Sequence, residues 1–125
     1  MDNRRVKYIV DEENKVIVAE IENCESDAMD MLMGKFVSSV TSGFDLYNKM
    51  FHSKFNMNHK YRAVAKLHPD DVWNEKRGRD IACDKLTETY HHSMNKRLAL
   101  YAQDFRKIAD EIDKYLAKKK FSEKA

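Results

Sequence analysis

The stretch LHPDDVWNEKRGRDIA, residues 67–82, decides the fold because a predicted strand ends in it and a predicted helix begins in it. Pro69 cannot donate a hydrogen bond to a strand ladder, so it ends the strand before it. Three polar residues that can cap the following helix come next: Asp70, Asp71 and Asn74. Gly78 and Ala82 lie four residues apart on one helical face, which lets this helix press closely on a sheet.

The residues before Pro69 alternate as in a half-buried strand. One face carries apolar side chains, at Tyr61, Ala63, Ala65 and Leu67. The other face carries mainly cationic ones, at Arg62, Lys66 and His68. This pattern predicts a third strand whose outer face is basic.

Two earlier runs rich in β-branched residues, residues 6–10 and Val16–Ile21, are separated by the polar turn DEEN. Together they predict a β-hairpin. The second run, VIVAEI, is apolar at nearly every position, which is typical of a strand covered on both faces rather than of an exposed edge.

Helical periodicity appears in two places. The first helix is expected to begin near Ser26 or Asp27 and to span about seven turns. Its apolar residues alternate steps of three and four: Met29, Met33, Phe36, Val40, Phe44, Tyr47 and Phe51. Gly34 and Gly43 lower the stability expected for this first helix.

The last helix carries two interleaved seven-residue repeats that predict a coiled-coil-like contact. One repeat is Met94, Tyr101, Ile108 and Tyr115, and the other is Leu98, Phe105 and Ile112.

The predicted order is therefore β-β-α-β-α, an α+β fold in which a β-hairpin and a third strand form a small antiparallel sheet with two long helices. We expect one domain over residues 1–125, because neither repeats nor linker composition divide the chain. Two long amphipathic helices have more apolar surface than three short strands can cover. We therefore expect a homodimer or a higher homo-oligomer.

The amino-acid composition and net charge disfavour several functional classes. Apolar residues make up 42% of the chain and charged residues 35%, while the net charge is only +2. Strong attraction to nucleic acid is therefore not expected. No apolar run approaches the length of a membrane span, and the N-terminal residues do not resemble a signal peptide. With two widely spaced cysteines, Cys24 and Cys83, we expect a cytosolic protein with reduced thiols.

The sequence does not predict an enzyme. Catalytic and nucleotide-binding motifs such as G-x-S-x-G, a phosphate-binding loop or H-E-x-x-H are missing. Cys83 and His91 would be about 12 Å apart along one helix. His91 and His92 would point about 100° apart, so we interpret them as solvent-facing. The pair Asp70 and Asp71 is interpreted as turn and capping chemistry. We expect no catalytic residue, no metal and no cofactor.

With catalysis not predicted, the remaining interpretation is a binding site for a flat anionic ligand near the strand–helix turn. The basic strand face that contains Arg62 leads to a helix start that carries Trp73, Arg77 and Arg79. Helix N-termini and Arg forks both favour phosphate, and an indole ring offers a stacking plane for a base. Asn95 and Arg97 could add an amide and a cation from a partner subunit. The alternative is that Trp73 closes the core and that the cations form an ordinary solvated face.

Residues 63–86, AVAKLHPDDVWNEKRGRDIACDKL, resemble a segment of small phage proteins. That segment is a strand that ends in His or Ser, Pro, an acidic residue and Asp, followed by an aromatic residue, a polar helix start, Gly and Ala. With its hairpin and its two helices, nearly the whole chain is similar to the phage anti-Thoeris family. Trp73 stands where the family's segment carries Phe, so the aromatic character is kept.

The resemblance implies a function. Thoeris defence uses a TIR-domain enzyme that makes a cyclic ADP-ribose isomer from NAD during infection. Proteins of the anti-Thoeris family bind that signal, glycocyclic ADP-ribose, and sequester it without cleaving it, in pockets between subunits. Some members also take up cyclic oligonucleotides at a second site. The resemblance thus implies a homo-oligomeric inhibitor that acts in the cytoplasm of the infected bacterium.

Two other classes stay open. A small phage nucleic-acid-binding or anti-restriction protein would use the same basic strand face together with the lysine-rich C-terminal residues, although the low net charge disfavours it. A protein–protein adaptor would use the heptad repeat of the last helix and would bind neither ligand.

Overall fold

The computed structural model describes residues 5–37 and 55–124, and the side chains of residues 5–35 and 55–119. Its elements follow the order β-β-α-β-α. They are the strands β1 (Lys7–Asp11), β2 (Val16–Ile21) and β3 (Tyr61–Lys66), the helix α1 (Asp27–Met31), which continues as a π-helical segment (Leu32–Val37), and the helix α2 (Glu75–Lys124). The predicted α+β arrangement of a small sheet and two helices is confirmed.

The three strands form one antiparallel sheet in the order β1-β2-β3, so β2 is central. Ile17 of β2 lies opposite Val10 on one side and Ala65 on the other. The side chain of Asp11 closes the hairpin turn by accepting hydrogen bonds from the Asn14 backbone N–H at 3.1 Å and from its amide at 2.8 Å. The predicted hairpin is confirmed.

The prediction that β2 is covered on both faces is correct for one face only. Ile17, Ala19 and Ile21 point to one side and are completely buried. On the opposite side, Ile9 and Val64 flank Val18 in register and remain 50% and 45% exposed. The apolar run of β2 therefore reflects its central position, where side chains of the neighbouring strands leave Val18 on the outer face only half-buried.

The helix α2 lies on the buried face of the sheet. Gly78 is buried there, and a Cβ atom built on it would lie 2.4 Å from Cδ1 of Ile17. Ala82 and Leu86, one and two turns later, are completely buried as well. The predicted close approach through Gly78 and Ala82 is confirmed.

The first helix begins at Asp27, as predicted, with Ser26 at the N-cap position but without a side-chain capping bond. It is less regular than predicted, because the α-helical hydrogen bonding ends at Met31 and gives way to the wider π-helical segment. That segment contains Gly34, which lowers helix stability. The remaining predicted positions, from Val40 to Phe51 and including Gly43, lie outside the described residues.

The helix α2 contains 50 residues and is about 75 Å long at 1.5 Å per residue. Its first half packs on the sheet and on the segment that precedes β3. Phe55 and Met57 of that segment are buried, and the Phe55 ring stacks on Tyr101 with 4.0 Å between ring centroids. From residue 106 to residue 119 every side chain of α2 is exposed.

Across residues 5–37 and 55–124, no helix combines the length and the apolar character that a bilayer crossing requires.

Candidate functional site

The strand–helix turn, residues 67–74, is held by the hairpin turn beside it. The backbone N–H of Leu67 donates to the carbonyl of Lys15 at 2.9 Å, so the ladder continues one residue beyond β3. The Lys15 ammonium in turn donates to the carbonyls of Pro69 and Asp71, both at 2.6 Å. One lysine of the β1–β2 turn therefore fixes the backbone that leads into α2.

Asn74 starts α2. Its side-chain oxygen accepts a hydrogen bond from the backbone N–H of Arg77 at 3.1 Å, and its carbonyl accepts one from Gly78 at 3.0 Å. Among the three predicted capping residues, Asn74 is thus the cap. Asp70 and Asp71 lie in the preceding turn, where the Asp71 N–H donates to the His68 carbonyl at 2.9 Å. Their predicted turn role is confirmed.

Three of the predicted ligand-binding residues lie around this helix start. Trp73 is half-buried and packs against the core, while Arg77 is exposed. Within the described part of the chain, the Arg77 guanidinium has neither a hydrogen bond nor an ion pair. Arg79 is engaged, because its Nε lies 3.2 Å from Glu75 and its guanidinium lies 4.9 Å above the Tyr8 ring. Of the two predicted arginines at the helix start, Arg77 is therefore the better placed to receive an anion.

Tyr8 places an aromatic ring beneath the Arg79 guanidinium. Burial and a hydrogen bond with Cys83 raise the pKa of the Tyr8 phenol to about 12, so it is neutral at physiological pH. A neutral aromatic ring beneath a guanidinium attracts the cation through its π-face. Arg79 is thus oriented by the sheet through Tyr8 and by its own helix through Glu75.

Arg62 lies on the solvent-facing side of the sheet. It forms an ion pair with Glu20 at 2.8 Å, and Lys60 lies 3.4 Å from Glu22 and 4.0 Å from Glu20. Glu20 is 8% exposed and lies directly opposite Arg62 in the register of β2 and β3. The predicted basic strand face is therefore partly neutralised by acids of the neighbouring strand.

Asn95 and Arg97 lie farther along α2. Asn95 is exposed. Arg97 is half-buried and holds the segment before β3, since it donates to the Asn56 carbonyl at 3.2 Å and to the Ser93 hydroxyl at 3.3 Å. Sixteen residues separate Arg79 from Asn95, which is about 24 Å of helix and well over half the diameter of a small domain. One protomer therefore does not bring these groups to the helix start.

A second polar cluster, which the sequence does not predict, joins α1 to α2. The Tyr90 hydroxyl donates to the Asp27 carboxylate at 2.6 Å, and Arg5 donates to the same oxygen at 3.1 Å. Burial, followed by the bond to Asp27, raises the pKa of Tyr90. In the sequence, a tyrosine at an apolar position of a helix indicates that its hydroxyl has a hydrogen-bond partner. It does not identify the partner, because Asp27 is 63 residues away.

Groups with nucleophilic or metal-binding chemistry are not assembled in the described part of the chain. Cys24 is completely buried, and burial, with the nearby Asp27 carboxylate, raises the pKa of its thiol to about 11, so it is not a reactive thiolate. His91 packs edge-on against Tyr90 and His92 is exposed. No group of three or more potential metal ligands occurs among the described residues.

Comparison with known proteins adds no relative: neither a family model, nor a curated protein, nor a solved structure matches this chain.

Proposed function

We propose that this protein binds a cyclic ADP-ribose isomer of the glycocyclic ADP-ribose type and sequesters it without cleavage, as a phage inhibitor of bacterial Thoeris immunity. The resemblance of residues 63–86 to the anti-Thoeris family motivates the proposal. The observation that carries it is the start of α2, where an aromatic side chain and an unengaged arginine flank an Asn74-capped helix.

The chemistry of such a ligand suits this helix start. Its pyrophosphate needs cations and N–H donors, which Arg77 and the first turn of α2 supply. Its adenine needs a flat apolar surface, which the exposed part of Trp73 offers. Lys15 supports both by holding the backbone of the strand–helix turn. Arg79 adds positive charge from a fixed position above Tyr8.

A complete pocket requires a second protomer in this proposal. Asn95 and Arg97 lie about 24 Å and about 27 Å along the helix from Arg79, so their contribution has to come from another copy. Arg97 already donates hydrogen bonds to Asn56 and Ser93 of its own protomer. Its first role is therefore to stabilise that protomer, and contact with the ligand would be a second role. Sequestration needs slow release rather than turnover, and a ligand enclosed between subunits is released slowly. The proposed place of action is the cytoplasm of the infected host.

The test is calorimetric titration with glycocyclic ADP-ribose, with linear ADP-ribose and a short DNA duplex as comparison ligands. Binding of the cyclic compound, followed by its intact recovery after heat denaturation, would support sequestration without cleavage. Cyclic oligonucleotides form a further arm for a second site. Binding of duplex DNA alone, weakening steeply with salt, would instead favour the nucleic-acid-binding alternative.

The sharpest variant is Arg77→Ala. Loss of a charge-assisted hydrogen bond predicts about 10- to 100-fold weaker binding of the cyclic ligand. Arg106→Ala is the matched control, because Arg106 is an exposed arginine of the same helix far from the helix start. Unchanged affinity of Arg77→Ala would remove this residue from the site. Equal weakening in both variants would show that only overall charge matters.

A further inference from the structure

The second half of α2 carries an apolar seam that the described body of the protein leaves uncovered. The seam continues the seven-residue repeat through Phe105, Ile108, Ile112 and Tyr115. Ile108, Ile112 and Tyr115 remain 47%, 52% and 60% exposed, and Leu116 beside them is 48% exposed. A continuous apolar stripe on the order of a few hundred Å² is typical of an interaction surface.

The same seam is already used one turn earlier. Tyr101 is completely buried, its ring stacks on Phe55, and its hydroxyl lies 3.5 Å from the Met29 sulfur. A partner helix cannot occupy the space that Phe55 and Met29 fill. Any helix that docks on the seam therefore has to do so beyond Tyr101, against the stretch from Phe105 to the end of α2.

We propose that this seam pairs with the same seam of a second copy as an antiparallel coiled coil, with Ile112 opposite the partner's Tyr115. In an antiparallel pair the two alternating seam positions face each other. The heptad repeat allows registers that differ by seven residues. In the chosen register, the last helical residue of the partner lies opposite Gln103, so the partner helix ends before it reaches Tyr101.

Charge supports this orientation. Glu111 and Lys118 both lie on one edge of the seam, each immediately before a seam position. In the antiparallel register, Glu111 faces the partner's Lys118, and the twofold symmetry makes this pair twice. On the other edge, the small Ala109 faces the partner's Leu116. A parallel pair would instead stack Lys119 on its own copy within the seam, whereas the antiparallel register sets Lys119 opposite the partner's Ile108. In a parallel pair the partner helix would also run back past Phe105 into the space that Phe55 and Met29 fill.

The inference rests on the oligomeric part of the proposed function and names one surface of that oligomer. In this register the partner's Asn95 and Arg97 lie roughly 80 Å along the helix from Arg77, so a further contact between protomers has to complete the ligand pocket. It needs no nucleotide, because Asn95 and Arg77 both lie outside the seam. Sedimentation without ligand therefore tests this pairing, whereas calorimetry tests the ligand site. Failure of one leaves the other standing.

The experiment is sedimentation equilibrium of the full chain over a range of concentrations. Glu111→Lys places lysine against lysine twice and is expected to raise the dimer dissociation constant about tenfold or more. The double variant Glu111→Lys/Lys118→Glu restores opposite charges and is expected to return the constant to within about threefold of the original. Asp110→Lys, the same charge reversal outside the seam, is the control.

A wild-type chain that stays monomeric at every concentration would overturn the proposal, and would be the result expected if residues of the same chain cover the seam. A dimer that responds equally to Glu111→Lys and to Asp110→Lys would overturn the antiparallel register. A dimer that Glu111→Lys weakens and the double variant restores would establish it.

Discussion

At the scale of single residues, Gly78 decides how closely α2 approaches the sheet. Alanine is normally the better helix residue by about 1 kcal/mol. Here a Cβ atom would lie 2.4 Å from Cδ1 and 3.3 Å from Cγ1 of Ile17, which is completely buried. Gly78→Ala is therefore expected to lower the free energy of unfolding by about 1–3 kcal/mol, as overpacking does. Urea denaturation measures this loss.

Two comparisons separate overpacking from a general effect of alanine. Ile17→Val removes Cδ1, so adding it to Gly78→Ala should recover part of the loss, and the two changes should not be additive. Gly34→Ala is the control, because no described atom lies within 4 Å of a Cβ built there. A neutral or stabilising Gly78→Ala would mean that Ile17 shifts without cost.

At the scale of elements, Lys15 joins the hairpin turn to the strand–helix turn. Lys15→Met keeps the aliphatic stem and removes both hydrogen bonds, to Pro69 and to Asp71. Because these bonds are exposed to solvent, we expect a loss of about 1 kcal/mol. The loss should be local. Hydrogen exchange of the Asp71 amide, which donates to His68, is expected to become about fivefold to tenfold faster.

Lys66→Met is the matched control, since Lys66 is an exposed lysine on β3 at the end of the same strand. Amide exchange at Asp71 should be unchanged in this variant. If Lys15→Met also leaves the exchange unchanged, the strand–helix turn is held by other contacts, and Lys15 has no part in shaping the helix start.

At the scale of the whole molecule, three weakly acidic side chains make the fold sensitive to alkaline pH: Cys24 and Tyr90, which are buried, and Tyr8, which is half-buried. Burial, with neighbouring groups, raises the pKa of Cys24 to about 11 from 9.0 and that of Tyr8 to about 12 from 10.0, and it raises the pKa of Tyr90 as well. The unfolded chain therefore releases these protons first as the pH rises. Their contribution to stability is complete below pH 9 and is lost progressively between about pH 9 and 12.

Tyr90→Phe isolates one of these protons. At neutral pH it should cost about 1–3 kcal/mol, because the Asp27 carboxylate loses a hydrogen-bond donor. Above about pH 10 its stability should fall less steeply than that of the wild type, since one ionising group is gone. Urea denaturation at a series of pH values measures both effects. An unchanged slope would show that Tyr90 ionises equally in the folded and unfolded chains.

The local pattern of the chain predicts much of this architecture. The strands β2 and β3 and the start of α1 lie where periodicity and capping place them, and Gly78 and Ala82 contact the sheet as their spacing predicts. Other features have no local signal. The burial of Phe55 and Met57 depends on Tyr101, more than 40 residues later, and the ion pair of Arg62 depends on the register that brings Glu20 opposite. For the candidate site, the sequence identifies the residue types, while the structure separates them into the helix start, the outer sheet face and the middle of α2.

The sequence by itself determined the order of the elements and the place of the strand–helix turn, because these depend on residues close together in the chain. The structure selected Asn74 among the three possible caps and set β2 in the centre of the sheet through its pairing with β3. Only the tertiary structure decided which charges are already engaged. Arg62, Arg79 and Arg97 have partners, whereas Arg77 has none within the described residues. It also decided where the heptad seam passes from the buried core at Tyr101 to the surface at Ile108. Both follow from contacts between distant segments, whose geometry is set only when the sheet and α2 pack together.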